Sequence, residues 1–142
     1  MTAAPRPPRQ LVLAVVLWWI VALFLLLQTG LMWAGRAELP QQVLESGLVA
    51  PEEATSRAER LLWTNTALAV LFAAAYFGFG ALLFRQQHWA RIALSVVALC
   101  HLVMVLGTGA VFSVQAVVLV IGVLAAVFLW QRASTDWLTG ER

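Results

Sequence analysis

Residues 92–130 read IALSVVALCHLVMVLGTGAVFSVQAVVLVIGVLAAVFLW, a run of 39 residues without a formally charged side chain. A single helix of this length would be roughly twice as long as a bilayer is thick, so a turn must interrupt it. The segments GTG at 107–109 and SVQ at 113–115 supply the break. We therefore expect two membrane-spanning helices here, at about 91–109 and about 113–131, joined by a tight turn.

The whole chain shares this apolar character, since 62% of its 142 residues are hydrophobic and only 11% are charged. Soluble domains contain roughly 45–50% apolar and about 25% charged residues. The apolar residues form unbroken blocks, and helices that are apolar on all sides belong in lipid. The net charge of +2 is too small to favour nucleic acid as a partner. These features predict a small integral membrane protein.

Two further apolar blocks predict spans at about 11–33 and 61–84. The first is longer than the core of a secretory signal peptide, which has about 7–15 apolar residues, so we interpret it as an uncleaved anchor. Residues 1–10 contain three prolines and are expected to form a disordered tail. The polar tail at 132–142 is expected to fray.

Residues 34–60 form the substantial polar segment of the chain. Pro40 suits the first turn of a short helix, and Gly47 suits its end. A second helix start follows at Pro51, with acidic residues in its first turn. The segment therefore predicts a short helical hairpin that rests on the bilayer surface.

Together these elements predict an all-α fold, in which 11–131 is a four-transmembrane-helix bundle with a short extracytoplasmic helical hairpin between helices 1 and 2. If the N-terminus is cytoplasmic, the inner side holds six arginines and the outer side three. The positive-inside rule then favours a multi-pass plasma membrane protein with 1–10 and 132–142 as cytoplasmic tails. Trp89 and Trp130 mark the inner interface, and Trp33 and Trp63 mark the outer one.

Three features carry a resemblance to a family: the Arg- and Pro-bearing tail before the first span, the segment LPQQVLESGLVAPEEATSRAER at 39–60, and the linker HWARIAL at 88–94. In these features the chain resembles uncharacterised small four-helix integral membrane proteins of actinobacteria. The resemblance covers nearly the whole chain. It implies the fold and the topology, and it implies no activity.

His101 lies ten residues after Arg91, about 15 Å along a helix, and so near the middle of the bilayer. Ionisable residues at this depth are candidates for functional sites. However, haem ligation would need a second intramembrane histidine, a metal site would need further ligands, and the neighbouring Cys100 points about 100° away. We expect no cofactor and no metal. We expect His101 to accept a hydrogen bond from the indole N–H of Trp18 or Trp19, which enter from the inner side.

Two groups of polar residues near the ends of the spans are possible binding sites. An outer cluster could form a shallow cavity for a small ligand or simply mark the edge of the hydrocarbon, and it consists of Gln28, Asn65, Thr108 and Gln115. An inner ring could hold anionic lipid head groups or simply reflect the positive-inside rule, and it consists of Arg85, His88, Arg91 and Arg132.

No catalytic residues can be assigned, because the sequence shows no nucleophile–base pair, carboxylate pair or phosphate-binding loop. The spans contain no acidic residue that could couple export to protons. We therefore expect a non-catalytic accessory or scaffold subunit that engages a membrane or envelope protein, for example in a respiratory membrane assembly, or a second copy of itself. The alternative is a lipid- or small-molecule-binding, transport-related protein that uses the outer polar cluster.

Overall fold

The computed structural model describes residues 6–107 and 114–140, apart from the side chains of 114 and 115. Within these residues the chain forms six α-helices, one 3-10 turn at Pro51–Glu53 and no strand. The helices are α1 (Arg9–Ala34), α2 (Leu39–Glu45), α3 (Ala54–Phe84), α4 (His88–Gly107), α5 (Val114–Leu129) and α6 (Arg132–Thr139). The all-α class predicted from the sequence is confirmed.

Three helical segments are long and apolar enough to cross a membrane, namely Arg9–Ala34, Pro51–Phe84 and His88–Gly107. A fourth candidate passes the same test of length and composition only when Ala116–Leu129 is counted together with Arg132–Thr139, which is bent by 57° relative to it. The part of the chain that the structure describes therefore contains three or four candidate spans. The fourth candidate is shorter than the span of about 113–131 that the sequence predicts, because α5 has 16 residues, about 24 Å at the helical rise.

Local signals in the sequence explain where several helices begin and end. Pro40 lies in the first turn of α2, and Gly47 has a φ of +69°, a left-handed conformation that costs glycine no steric strain. Gln86 has a φ of 59° between α3 and α4, although it carries a side chain. The turn at 85–87 therefore depends on a conformation that glycine would adopt more easily.

The C-terminal segment corrects one expectation. We expected 132–142 to fray, but Arg132–Thr139 forms the helix α6. Ser134 and Leu138 of this helix are buried, and the Ser134 hydroxyl donates to the carbonyl oxygen of Phe128 at 3.0 Å. Contacts with the rest of the chain stabilise this short helix, because its own sequence is too short to do so.

The described residues divide into two compact units. The terminal unit contains the residues up to Ala22 and those from Phe72 onward, and the central unit contains Leu23–Leu71. In the terminal unit, Trp18 and Leu94 are fully buried, and α5 contacts both α4 and α6. In the central unit, the core includes Val43 and Leu62.

One close approach in the terminal unit depends on a glycine. A Cβ atom at Gly80 would lie 2.7 Å from Nε1 of Trp19 and 3.2 Å from Cγ1 of Val15. The Trp19 ring also contacts Phe77 and Phe84, with centroids 6.0 and 6.2 Å away. Gly80 therefore makes the space that the indole of Trp19 occupies.

Candidate functional site

The candidate site in the terminal unit is built around His101 of α4, which is 7% exposed. The hydroxyl of Tyr76 on α3 lies 2.8 Å from Nδ1 of His101. A phenol O–H is more acidic than the N–H of a neutral imidazole, which favours Tyr76 as the donor and Nδ1 of His101 as the acceptor. Nε2 of His101 then carries the ring proton and is a donor. Two polar side chains thus satisfy each other inside an apolar helix pair.

Aromatic contacts hold this pair in position. The ring of Phe72 stacks on His101, with centroids 4.8 Å apart and an angle of 24° between the planes. Phe72 and Tyr76 lie four residues apart on α3, so they project from the same side of the helix. One face of α3 therefore supplies both the stacking ring and the hydroxyl group.

The prediction that Trp18 or Trp19 donates a hydrogen bond to His101 is wrong. Neither indole donates to His101, because the Nε1 atoms of Trp18 and Trp19 are buried without any hydrogen-bond partner. Trp19 instead packs against the phenylalanines beside Gly80. A signal for the correct partner was present in the sequence, since Tyr76 is the single tyrosine and a hydroxyl within a span also requires a partner.

The inner ring predicted from the sequence divides into two kinds of residue. Arg85, His88 and Arg132 are exposed, whereas Arg91 is half-buried. The guanidinium of Arg91 lies 4.1 Å from the centroid of the Trp130 ring, and its Nη1 donates to Oγ1 of Thr135 at 2.9 Å. Its Nε is buried without a hydrogen-bond partner. Arg91 therefore fastens α4 to α6, a role that the sequence did not predict.

Only part of the outer polar cluster lies within the described residues. Asn65 is exposed, and its Nδ2 donates to Oγ1 of Thr29 at 3.4 Å. Gln28 is half-buried. Thr108 and the side chain of Gln115 lie outside the described residues, so the convergence of the four stays a prediction.

A second polar group in the central unit surrounds Trp33. Its Nε1 donates to Oγ1 of Thr66 at 2.8 Å, and that hydroxyl donates to the carbonyl oxygen of Leu62 at 2.7 Å. The rings of Trp33 and Trp63 meet edge to face, with centroids 5.1 Å apart, and Arg36 lies 5.8 Å from the Trp33 centroid. These contacts fix the orientation of the Trp33 indole.

These side chains form one wall of a pocket of about 360 Å³, which we call the tryptophan pocket. Its lining residues come from α1, α2 and α3 and from the segment between α1 and α2, and they are Trp33, Arg36, Leu39, Pro40, Thr55, Ala58, Glu59, Leu62 and Trp63. Arg36 and Glu59 bring opposite charges to a lining whose other side chains, apart from Thr55, are mostly apolar. Both the size and this mixture are typical of ligand- or side-chain-binding pockets.

Within the described residues, no group of three or more His, Cys, Asp and Glu side chains could hold a metal ion. Cys100, next to His101 in the sequence, is exposed on α4 and is not bonded to another cysteine.

Comparisons of the chain with protein-family models, with curated proteins and with solved structures found no match. The resemblance to small four-helix proteins of actinobacteria therefore stays a prediction.

Proposed function

We propose that the chain is a non-catalytic multi-pass protein of the plasma membrane that serves as an accessory or scaffold subunit. Its partner is another membrane or envelope protein, for example in a respiratory membrane assembly, and it docks in the tryptophan pocket. The observation that carries this proposal is that pocket, whose walls are fixed by hydrogen bonds and ring contacts before any partner arrives. Tryptophan and arginine are the residues that most often dominate the energy of protein interfaces.

The proposed topology has four spans, with both termini in the cytoplasm. The arginine distribution supports it, and α5 serves as the fourth span. In this arrangement α6 is an interfacial helix, since Leu138 is buried while Asp136 is exposed. The tryptophan pocket then lies on the outer side, close to the membrane surface.

The external segment also offers an apolar tip. Leu48 follows Gly47, and it is 88% exposed. An isolated leucine in this position gains about 1.5–3 kcal/mol when it is covered, either by lipid or by a protein. A photoreactive residue at position 48 distinguishes these two cases, because it forms adducts with lipid or with a protein of defined mass.

The central experiment compares two tryptophan variants of the full chain in native membranes. Trp63→Ala removes one wall of the tryptophan pocket, and Trp89→Ala removes a tryptophan of similar exposure in the terminal unit, 49% against 59%. Trp89 also contacts an aromatic ring edge to face, that of Phe79. Proteins that co-purify in mild detergent are quantified by mass spectrometry.

We expect Trp63→Ala and Arg36→Glu to reduce the yield of the same protein by about tenfold or more, as for an interface hot spot. Trp89→Ala should leave that yield unchanged. A chain that always purifies alone, or one that keeps the same partners in all three variants, would overturn the proposal.

A further inference from the structure

A second cavity lies in the terminal unit, and it is separate from the tryptophan pocket. Its volume is about 200 Å³, and apolar side chains of α4 and α5 form most of its lining. On α5 these are Val118, Leu119, Gly122, Val123 and Ala126. The polar groups that line it are Tyr76, Ser95, His101 and the indole of Trp130.

The rim of this cavity faces outward. Leu99, Val123 and Trp130 belong to the lining, and they are 59%, 51% and 51% exposed. Leu99 of α4 and Val123 of α5 lie on helices that cross the membrane in the proposed topology, so the medium at this part of the rim is the hydrocarbon of the bilayer. A ligand would reach the cavity sideways from lipid.

The polar groups of the lining are not equally available to such a ligand. The Ser95 hydroxyl donates to the carbonyl oxygen of Arg91 at 2.8 Å, and it accepts from Nε1 of Trp130 at 3.0 Å. Tyr76 uses its hydroxyl hydrogen for Nδ1 of His101. With Tyr76 as the donor, the ring proton of His101 lies on Nε2, so the imidazole can donate to a ligand in the cavity that it lines. The cavity thus favours a ligand that accepts a hydrogen bond.

The depth of His101 narrows the class of ligand. It lies three to four residues from the middle of α4, about 5 Å along the helix axis. The carbonyl groups of phospholipids lie at the edge of the hydrocarbon, roughly 15 Å from its midplane. A phospholipid carbonyl therefore lies about 10 Å from this histidine along the membrane normal, too far to accept a hydrogen bond from it.

We propose that this cavity binds the ring of a lipid-soluble quinone, with one carbonyl oxygen accepting from His101 and the apolar tail remaining in the bilayer. A quinone ring carries its acceptors on a flat, largely apolar body that can enter the hydrocarbon. The cavity volume agrees with a ligand that places only its ring inside and leaves its tail in lipid. Pockets that enclose a whole ligand measure about 300–1,000 Å³, more than this cavity offers. The step is binding alone and involves no electron transfer.

The first test fills the cavity. A Cβ atom at Gly122 would meet nothing within 4 Å, so Gly122→Leu places its side chain in open space. Gly78 is the matched control, because a Cβ atom there also meets nothing within 4 Å and this residue does not line the cavity. The full chain is reconstituted in phosphatidylcholine nanodiscs, and binding of a short-tailed naphthoquinone is measured by calorimetry.

We expect Gly122→Leu to weaken binding at least tenfold and Gly78→Leu to leave it within twofold. Equal affinities for the two variants would overturn the site. Absence of saturable binding to the wild-type chain would overturn it as well, provided that circular dichroism shows the helices intact.

The second test concerns the hydrogen bond. His101→Phe keeps a ring in place of the imidazole but removes the donor, and it should weaken quinone binding by about threefold to tenfold, the effect of one hydrogen bond in a membrane. A naphthalene with the same tail but without carbonyl groups should bind the wild-type chain more weakly by a similar factor. If this hydrocarbon binds as tightly as the quinone, the cavity accepts apolar chains in general, and the quinone assignment fails.

Discussion

The hydroxyl oxygen of Tyr76 lies 2.8 Å from Nδ1 of His101, and the two residues are 25 positions apart on α3 and α4. Each side chain would be costly to bury among apolar helices by itself, because its polar atoms would lack a partner. Together they satisfy each other, and Phe72 covers the imidazole ring. The pair therefore joins α3 to α4.

A double-mutant cycle should measure this connection. We expect Tyr76→Phe and His101→Phe each to destabilise the chain, and their coupling energy should be about 0.6–2 kcal/mol, the range for hydrogen bonds in membrane proteins. The measurement is reversible unfolding in mixed micelles with increasing dodecyl sulfate. Additive effects of the two substitutions, with a coupling below about 0.3 kcal/mol, would contradict the structure.

Gly80 should tolerate no larger residue. Gly80→Ala places a methyl group against the Trp19 indole, which Phe77 and Phe84 hold in place, and such overpacking costs about 1–3 kcal/mol. Gly78→Ala is the control, since its methyl group meets open space and alanine favours a helix by up to about 1 kcal/mol. The same unfolding assay should show opposite signs for the two variants. A stable Gly80→Ala chain would show that the indole can move aside.

Arg91 should hold α6 in place. Arg91→Ala removes both the contact with the Trp130 ring and the hydrogen bond to Thr135, so hydrogen exchange in 132–139 should become about tenfold faster. Arg91→Lys keeps the charge but loses the planar group, and it should also accelerate exchange. Arg85→Ala, at an exposed site, is the control and should have no effect. Unchanged protection in Arg91→Ala would mean that other contacts hold α6.

The proposed topology can be checked with cysteine labelling. Gln42 of α2 and Asp136 of α6 are exposed, so each can be replaced by cysteine in a Cys100→Ser chain. A charged maleimide added to intact cells should label Gln42→Cys at once, and it should label Asp136→Cys only after the membrane is permeabilised. Cys100 of the wild-type chain should react only after denaturation, since α4 places it in hydrocarbon. The reverse pattern for the two variants would indicate the opposite orientation.

The helices that are long and apolar enough to cross a membrane could be predicted because their signal is carried by composition along a continuous stretch. Both ends of α1 and α4 lie within three residues of the expected spans, whereas α3 begins at Ala54, seven residues before the expected start of its span at 61. The helix α6 could not be predicted in this way. Its start has neither a proline like that of α2 nor a side-chain cap, and its stability comes from Arg91 and from the burial of Leu138, contacts that depend on the folded chain.

For the candidate site, sequence reasoning identified His101 but not its neighbours. The choice between Tyr76 and the two indoles depends on how α1 and α3 are rotated about their axes. Helices that are apolar on all sides give little information on this rotation. Gly80 helps to set this rotation, because the absence of a side chain there leaves room for the Trp19 ring. In that position the indole N–H of Trp19 has no acceptor.

The short turn at 85–87 has a consequence for the synthesis of the chain. Since it joins α3 directly to α4, Tyr76 and His101 can meet once α4 has left the ribosome, before α5 has emerged from it. The two helices can then pass from the translocon into lipid as one hairpin that already contains its hydrogen bond. Removal of the Tyr76 hydroxyl group would leave the histidine to enter the bilayer without its partner, and the error would arise during insertion.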